Sequence, residues 1–179
     1  MIGRRGFAVA FAVAALLALG AGVMWRQAER DDALNLASSA DGAALLAVSL
    51  PDAAGKEQPL AQWKGKVLVV NFWATWCEPC REEMPRFVKL QDQLGAQGLQ
   101  FVGIAIDEAD RARQFASEIS LNYPTLIGSY GAIELSKTFG NRLGALPFTV
   151  IVDRAGRVVH TELGPVKDQQ LRSTIRQLL

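Results

Sequence analysis

Residues 67–106 leave a chain of this size few folds to adopt. The run VLVVNFW over 67–73 is β-branched or aromatic apart from Leu68 and Asn71, as suits a central strand buried on both faces. Ala74 and Thr75 follow, and then the period changes. Met84, Phe87, Val88 and Leu94 recur at helical spacing in a segment that reaches about Gly95. LQFVGIAI over 99–106 reads as a second apolar strand. A strand, a helix and a strand in this order make a right-handed crossover with the two strands parallel.

The remaining segments extend that unit. Residues 43–50 are expected to form a short strand, with turns at Pro51-Asp52 and Ala54-Gly55-Lys56 and a further turn at Gly65-Lys66 after residues 60–63. Residues 110–119 read as a helix, 123–127 as a short extended segment and 133–139 as a short helix. Strands at 149–152 and 158–161 are joined by Asp153-Arg154-Ala155-Gly156, a hairpin turn. A closing helix over 167–179 places Leu171, Ile175 and Leu178 on one face. The class is α/β: one domain with a mixed central sheet and helices on both faces.

The N-terminus is of another character. Residues 7–25, FAVAFAVAALLALGAGVMW, carry no charge and approach the roughly 20 residues that cross a bilayer core as a helix. Arg4 and Arg5 precede the run, which predicts a cytoplasmic N-terminus and an exported domain. A cleavable signal peptide is the competing reading, with Ala18-Leu19-Gly20 as its cleavage site. The apolar run continues past that site to Trp25, which favours an uncleaved anchor. The expected organisation is an anchor or signal segment at 1–25, a polar linker at 26–42 and one domain at 43–179. Both readings export the domain, which stays at the membrane if the segment is retained and is released if it is cleaved.

The net charge is +1, and two of the positive charges are Arg4 and Arg5, so the rest of the chain carries −1. That balance gives no electrostatic footprint for nucleic acid. About 150 residues outside the apolar segment fit one domain, and with half the residues hydrophobic they can fill one core.

There are two cysteines, Cys77 and Cys80. A bridge between them closes almost no loop and stabilises little, so the pair reads as chemistry and not as a staple. Cys77 falls where the strand gives way to the helix, and the free N–H groups and dipole of the helix start favour a thiolate there. Pro79 falls in the first turn, where a missing N–H costs nothing. Cys80 lies one turn further in. Cys77 is therefore expected to attack a disulfide and Cys80 to resolve the mixed disulfide. Glu78, between them, opposes a nearby thiolate by like-charge repulsion, and a less stable thiolate pair makes a more reducing couple. The bland alternatives are half a zinc site or two inert core cysteines. Structural zinc takes four ligands, and His160, eighty residues from Cys80, is the only histidine. No metal is expected.

The segment Asn71-Phe72-Trp73-Ala74-Thr75-Trp76-Cys77-Glu78-Pro79-Cys80-Arg81-Glu82-Glu83-Met84-Pro85 resembles the active-site stretch of the ResA/TlpA family, membrane-anchored extracytoplasmic thiol–disulfide oxidoreductases of the thioredoxin superfamily. Trp63-Lys64-Gly65-Lys66 resembles that family's lead-in. Gly144-Ala145-Leu146-Pro147-Phe148-Thr149, with Val150-Ile151-Val152-Asp153 and Gly156, resembles its second motif. The resemblance covers roughly residues 43–179 and implies a thioredoxin-like fold. It also implies that Pro147 is the family's cis-proline, presenting backbone to the substrate together with Leu146. It implies that Glu83 is the family's active-site acid. On a helix, Glu83 lies on the same side as Cys80, where it can manage that sulfur's proton; the alternative is a solvated helix glutamate. Trp76 either shapes the docking surface or covers the core. Asn71 departs from general thioredoxins, which carry a buried aspartate here, and residues 121–141 match the family's central insertion only loosely.

The leading functional expectation is a disulfide reductase for exported proteins, needing no cofactor. The resemblance implies apocytochrome c haem-site cysteines or copper-site thiols as substrates, and a membrane-embedded thiol reductant as electron source. An oxidase or isomerase is the second reading; a basic or histidine-containing pair between the cysteines would have favoured it. A Cu(I)-binding chaperone is the third, and no Met-rich or His-rich stretch supports it.

Overall fold

A computed structural model describes residues 42–179. The expected anchor, cleavage site and nearly all of the linker lie outside the described residues. Among the described residues no helix is long and apolar enough to cross a membrane.

The crossover anticipated from residues 67–106 is the centre of the molecule. Strand β3 (Val67–Trp73) leads to helix α1 (Glu78–Leu94) and then to β4 (Leu99–Ala105), and β3 and β4 pair in parallel from Val67↔Leu99 to Trp73↔Ala105. All seven residues of each strand are buried, which is why neither shows polar alternation. Helix α2 (Ala109–Glu118) connects to β5 (Thr125–Ile127), parallel to β4. Helix α3 (Gly131–Thr138) precedes the hairpin β6 (Phe148–Val152) and β7 (Val158–Leu163), and α4 (Asp168–Leu178) closes the fold. The sheet order is β5-β4-β3-β6-β7, with β6 and β7 antiparallel to their neighbours. The fold is thioredoxin-like.

Side chains along β3 divide between two cores. Val67, Val69 and Trp73 face Met84 and Phe87 of α1, Phe115 of α2 and Leu171 and Ile175 of α4. Leu68, Val70 and Phe72 face Ala132 of α3, together with Leu45, Leu60 and Trp63. Phe87 stacks on Phe101 with centroids 5.0 Å apart, and Phe101 contacts Tyr123 at 5.6 Å.

One expected element is corrected. Residues 42–46 are helical, and the first strand, β1, spans only Ser49–Pro51. Ala43-Ala44-Leu45-Leu46-Ala47 is built from the strongest helix formers, and the Ala47 N–H bonds the Ala43 carbonyl at 3.0 Å. Leu45 is thereby driven fully into the second core. Strand β2 (Glu57–Pro59), which pairs with β1, is polar and gave no periodic signal.

Gly103 matters for the site because of what crosses it. The Trp73 indole N–H donates to Thr125 Oγ1 at 3.2 Å over the face of β4, and a Cβ on Gly103 would lie 2.8 Å from Trp73 Nε1 and 3.1 Å from Thr125 Oγ1. Gly103→Ala is therefore expected to cost about 1–3 kcal/mol, read as a lowered urea midpoint. An unchanged midpoint would mean that the indole moves aside freely.

Candidate active site

The strand ends at Trp73 because the chain must turn toward the start of α1. Cys77 N–H bonds the Ala74 carbonyl at 3.2 Å, and Thr75 is tied by its N–H and its hydroxyl to Asp107 Oδ2. Those bonds hold the Asp107 carboxyl below the usual carboxylate range against the opposing effect of burial. The turn leaves Trp76 62% exposed, so this indole does not cover the core.

Cys77 is the N-cap of α1: its Sγ accepts the Cys80 N–H at 3.3 Å. Pro79 stands in the first turn, where it removes no helical bond. Glu78, also in that first turn, is exposed and directly follows Cys77 in the chain. Cys77 and Cys80 form a disulfide, with Cα atoms 5.3 Å apart. Cys77 keeps 6% exposure and Cys80 none, the order expected of an attacking and a resolving sulfur.

Glu83 does not lie on a solvated helix face. It is fully buried, its Oε1 accepting Asn71 Nδ2 at 2.9 Å and its Oε2 accepting the Val166 N–H at 3.1 Å. Burial pushes its carboxyl up to about 7, although the Val166 N–H, the Asn71 amide and Arg86 each pull it down. Asn71 Nδ2 also donates to Thr149 Oγ1 at 3.1 Å, while Asn71 Oδ1 is buried with no partner among the described residues. Tyr123 is buried nearby, and burial together with the Glu83 charge raises its hydroxyl well above the ordinary tyrosine value. Asn71 was legible only as a departure from a buried aspartate. Thr149, Val166 and Tyr123 carried no signal of their own, because tertiary packing alone brings them to residue 83.

The second motif arrives at the same end of the sheet. Phe148 pairs with Phe72, so Pro147 continues past the sheet toward the turn that carries Cys77. The Leu146–Pro147 bond is cis, and partly buried Leu146 packs on the cluster containing both cysteines. The Pro147 carbonyl accepts the Gly164 N–H at 2.9 Å. Among the described residues the Leu146 N–H and carbonyl have no hydrogen-bond partner. His160 lies elsewhere, on β7, with Nε2 3.3 Å from Glu162 Oε2.

The redoxin family model matches residues 40–179. A thiol-disulfide oxidoreductase ResA of Bacillus thuringiensis subsp. konkukian (strain 97-27) is 32% identical over 128 residues, which is 71% of this chain and 72% of the relative. The thioredoxin-like protein YneN of Bacillus subtilis (strain 168) is 31% identical over 131 residues, 71% of this chain and 74% of the relative. Among solved structures, a thiol:disulfide interchange protein of the thioredoxin family from Chlorobium tepidum TLS superposes with a TM-score of 0.66 at 27% identity, covering 73% of this chain and 92% of that one. The chain belongs to the redoxin family and is a ResA-like thiol–disulfide oxidoreductase of the thioredoxin superfamily, an enzyme with Cys77 and Cys80 as its redox centre.

Proposed function

We propose that the protein is a disulfide reductase for exported proteins. The observation that carries the direction of electron flow is the position of Glu78. It follows the capping Cys77 at the helix start, where N–H groups and the helix dipole would otherwise favour a thiolate. The carboxylate offsets that field, the reduced pair is less stabilised, and electrons leave it more readily.

In the working cycle the Cys77 thiolate attacks a substrate disulfide. A Cys77–substrate bond forms, and the substrate's other sulfur leaves and takes a proton. Cys80 then gives up its proton and attacks Cys77 Sγ, forming the Cys77–Cys80 disulfide and releasing the second substrate thiol. Two electrons and two protons pass to the substrate: the first leaving sulfur takes a proton from solvent, replacing the one Cys77 released on ionising, and the second takes the proton that left Cys80. Buried Glu83, one helical turn from Cys80 and held near neutrality, takes the Cys80 proton. Trp76 and the Leu146–Pro147 peptide form the docking surface, with the Leu146 N–H and carbonyl pairing to extended substrate backbone. The cysteines of apocytochrome c haem sites or of copper-site proteins are the substrate class, as the ResA likeness suggests. A membrane-embedded thiol reductant restores the pair, and the N-terminal segment holds the domain on the periplasmic side of the inner membrane.

The reduction potential of the pair tests the direction. Equilibration with a defined thiol buffer, read by trapped free thiols, is expected to give about −220 mV or lower. A value near about −120 mV, at the oxidising end of the scale, would reverse the direction and make the protein an oxidase.

A further inference from the structure

We propose that Asn141 is a positioning residue for substrate docking: its side chain sets the course of the loop that delivers the Leu146–Pro147 peptide. The proposal rests on the reading of that peptide as the docking edge. Asn141 is fully buried, yet it belongs to a loop with exposed residues on either side of it: Gly140, Arg142, Leu143 and Ala145. Its Oδ1 accepts the Ala145 N–H at 3.1 Å, and its Nδ2 donates to the Ala145 carbonyl at 2.9 Å. One side chain thus closes both backbone groups of Ala145, as a neighbouring strand would. The second Nδ2 proton goes to Ser136 Oγ at 3.0 Å, and the Ser136 hydroxyl donates to the Ile133 carbonyl at 2.7 Å. The Asn141 N–H bonds the Ser136 carbonyl at 3.2 Å, and its carbonyl accepts the Gly144 N–H at 2.9 Å. Both amide protons and the amide oxygen are therefore engaged, anchored on α3 and clasping the loop.

The clasp ends where the docking edge begins. Ala145 has both backbone groups tied, and Leu146, the next residue, has neither. Between α3 and β6 no strand ladder fixes the backbone, and Gly140 and Gly144 both adopt positive φ, at 105° and 61°. Backbone bonds from Arg142 N–H to the Gly140 carbonyl at 2.8 Å and from Gly144 N–H to the Asn141 carbonyl at 2.9 Å fold the loop, and among the described residues the Asn141 side chain alone ties Ala145. Preorganisation of this kind lowers the entropy cost of binding an extended chain and leaves sulfur chemistry untouched.

The test compares reduced wild type, Asn141→Ala and Ser136→Ala against two probes. One is a small aromatic disulfide; the other is a ten-residue peptide with an internal Cys-x-x-Cys-His disulfide. Asn141→Ala is expected to react with the aromatic disulfide within twofold of wild type. With the peptide it should need about tenfold more for half-saturation at an unchanged maximal rate. Ser136→Ala removes one anchor of the amide but leaves both Ala145 bonds possible, so it should raise the half-saturating peptide concentration less than Asn141→Ala does and stay within twofold on the aromatic disulfide. Equal slowing of Asn141→Ala on both probes, no change on the peptide, or an equal defect in Ser136→Ala would each overturn the clasp. If Asn141→Ala does not fold, amide exchange of the unsubstituted protein decides: Ala145 N–H should be protected like the amides of β6, and exchange at open-loop rates overturns the proposal. A wild type that shows no saturation with the peptide tells against the docking-edge reading, and Ala145 protection then still reports on the clasp by itself.

Discussion

Cys80→Ser is expected to accumulate a covalent complex with its substrate through Cys77, while Cys77→Ser accumulates none and loses turnover by about three orders of magnitude or more. The asymmetry follows from where the two sulfurs lie. Cys77 caps the helix, retains some exposure and sits next to Trp76, which projects into solvent. Cys80 is wholly enclosed, so an outside disulfide cannot reach its sulfur. The Cys80 N–H already points at Cys77 Sγ and would stabilise negative charge on that atom once the bond is reduced. With Cys80 replaced, the mixed disulfide has no intramolecular route to resolution and persists until an external thiol arrives. Non-reducing gels with mass spectrometry of the captured species would identify the partner. Capture by Cys77→Ser in place of Cys80→Ser would exchange the two roles.

The parts of this molecule that the sequence disclosed are those with a local cause. The β3–α1–β4 crossover was legible because residues 67–73 and 99–105 are buried on both faces and, Asn71 and Gln100 apart, carry no polar side chain. The place of Cys77 at the helix start was legible because the apolar strand gives way there to helical spacing. Where a feature depends on distant packing, the reading stopped. Glu83 is a residue type that usually faces water, and the N–H that satisfies its second oxygen comes from Val166. The Asn141 clasp lies in a stretch without periodicity, and its bonds are visible only once α3 and the loop are placed. Residues 43–47 failed for a different reason. The segment is short and apolar, such runs suit strand or helix equally, and Ala and Leu propensity decided for the helix.

Glu83→Gln should flatten two pH profiles at once. In the native protein burial raises the carboxyl from 4.5 to about 7, so the folded state holds this proton more tightly than the unfolded chain. Below pH 4.5 both states are protonated and the group is neutral in effect. As pH rises the unfolded chain releases its proton first, so stability falls through this window and levels off above about 7, by about 3 kcal/mol in all. Asp52, Asp107 and Asp153 have lowered values and act oppositely, losing their contribution as pH falls through the acid range. The difference between wild-type and variant curves therefore isolates Glu83. Glutamine is nearly isosteric and its oxygen can accept the Val166 N–H, but its amide can donate to Asn71 Oδ1 only if the Asn71 amide turns over, which moves Asn71 Nδ2 to the buried position that offers no acceptor among the described residues. The cost of that unpaired amide is the same at every pH, so the variant should start below wild type in acid and show none of the wild-type decline between pH 4.5 and 7. Its turnover near neutral pH should fall about 100-fold, with the inflection near pH 7 gone, because glutamine neither takes nor returns the Cys80 proton. Urea midpoints across pH 4–8 and the pH–rate profile measure the two effects separately. A flattened stability curve with an unchanged rate profile would leave Glu83 a buried structural carboxyl and move the proton transfer to solvent.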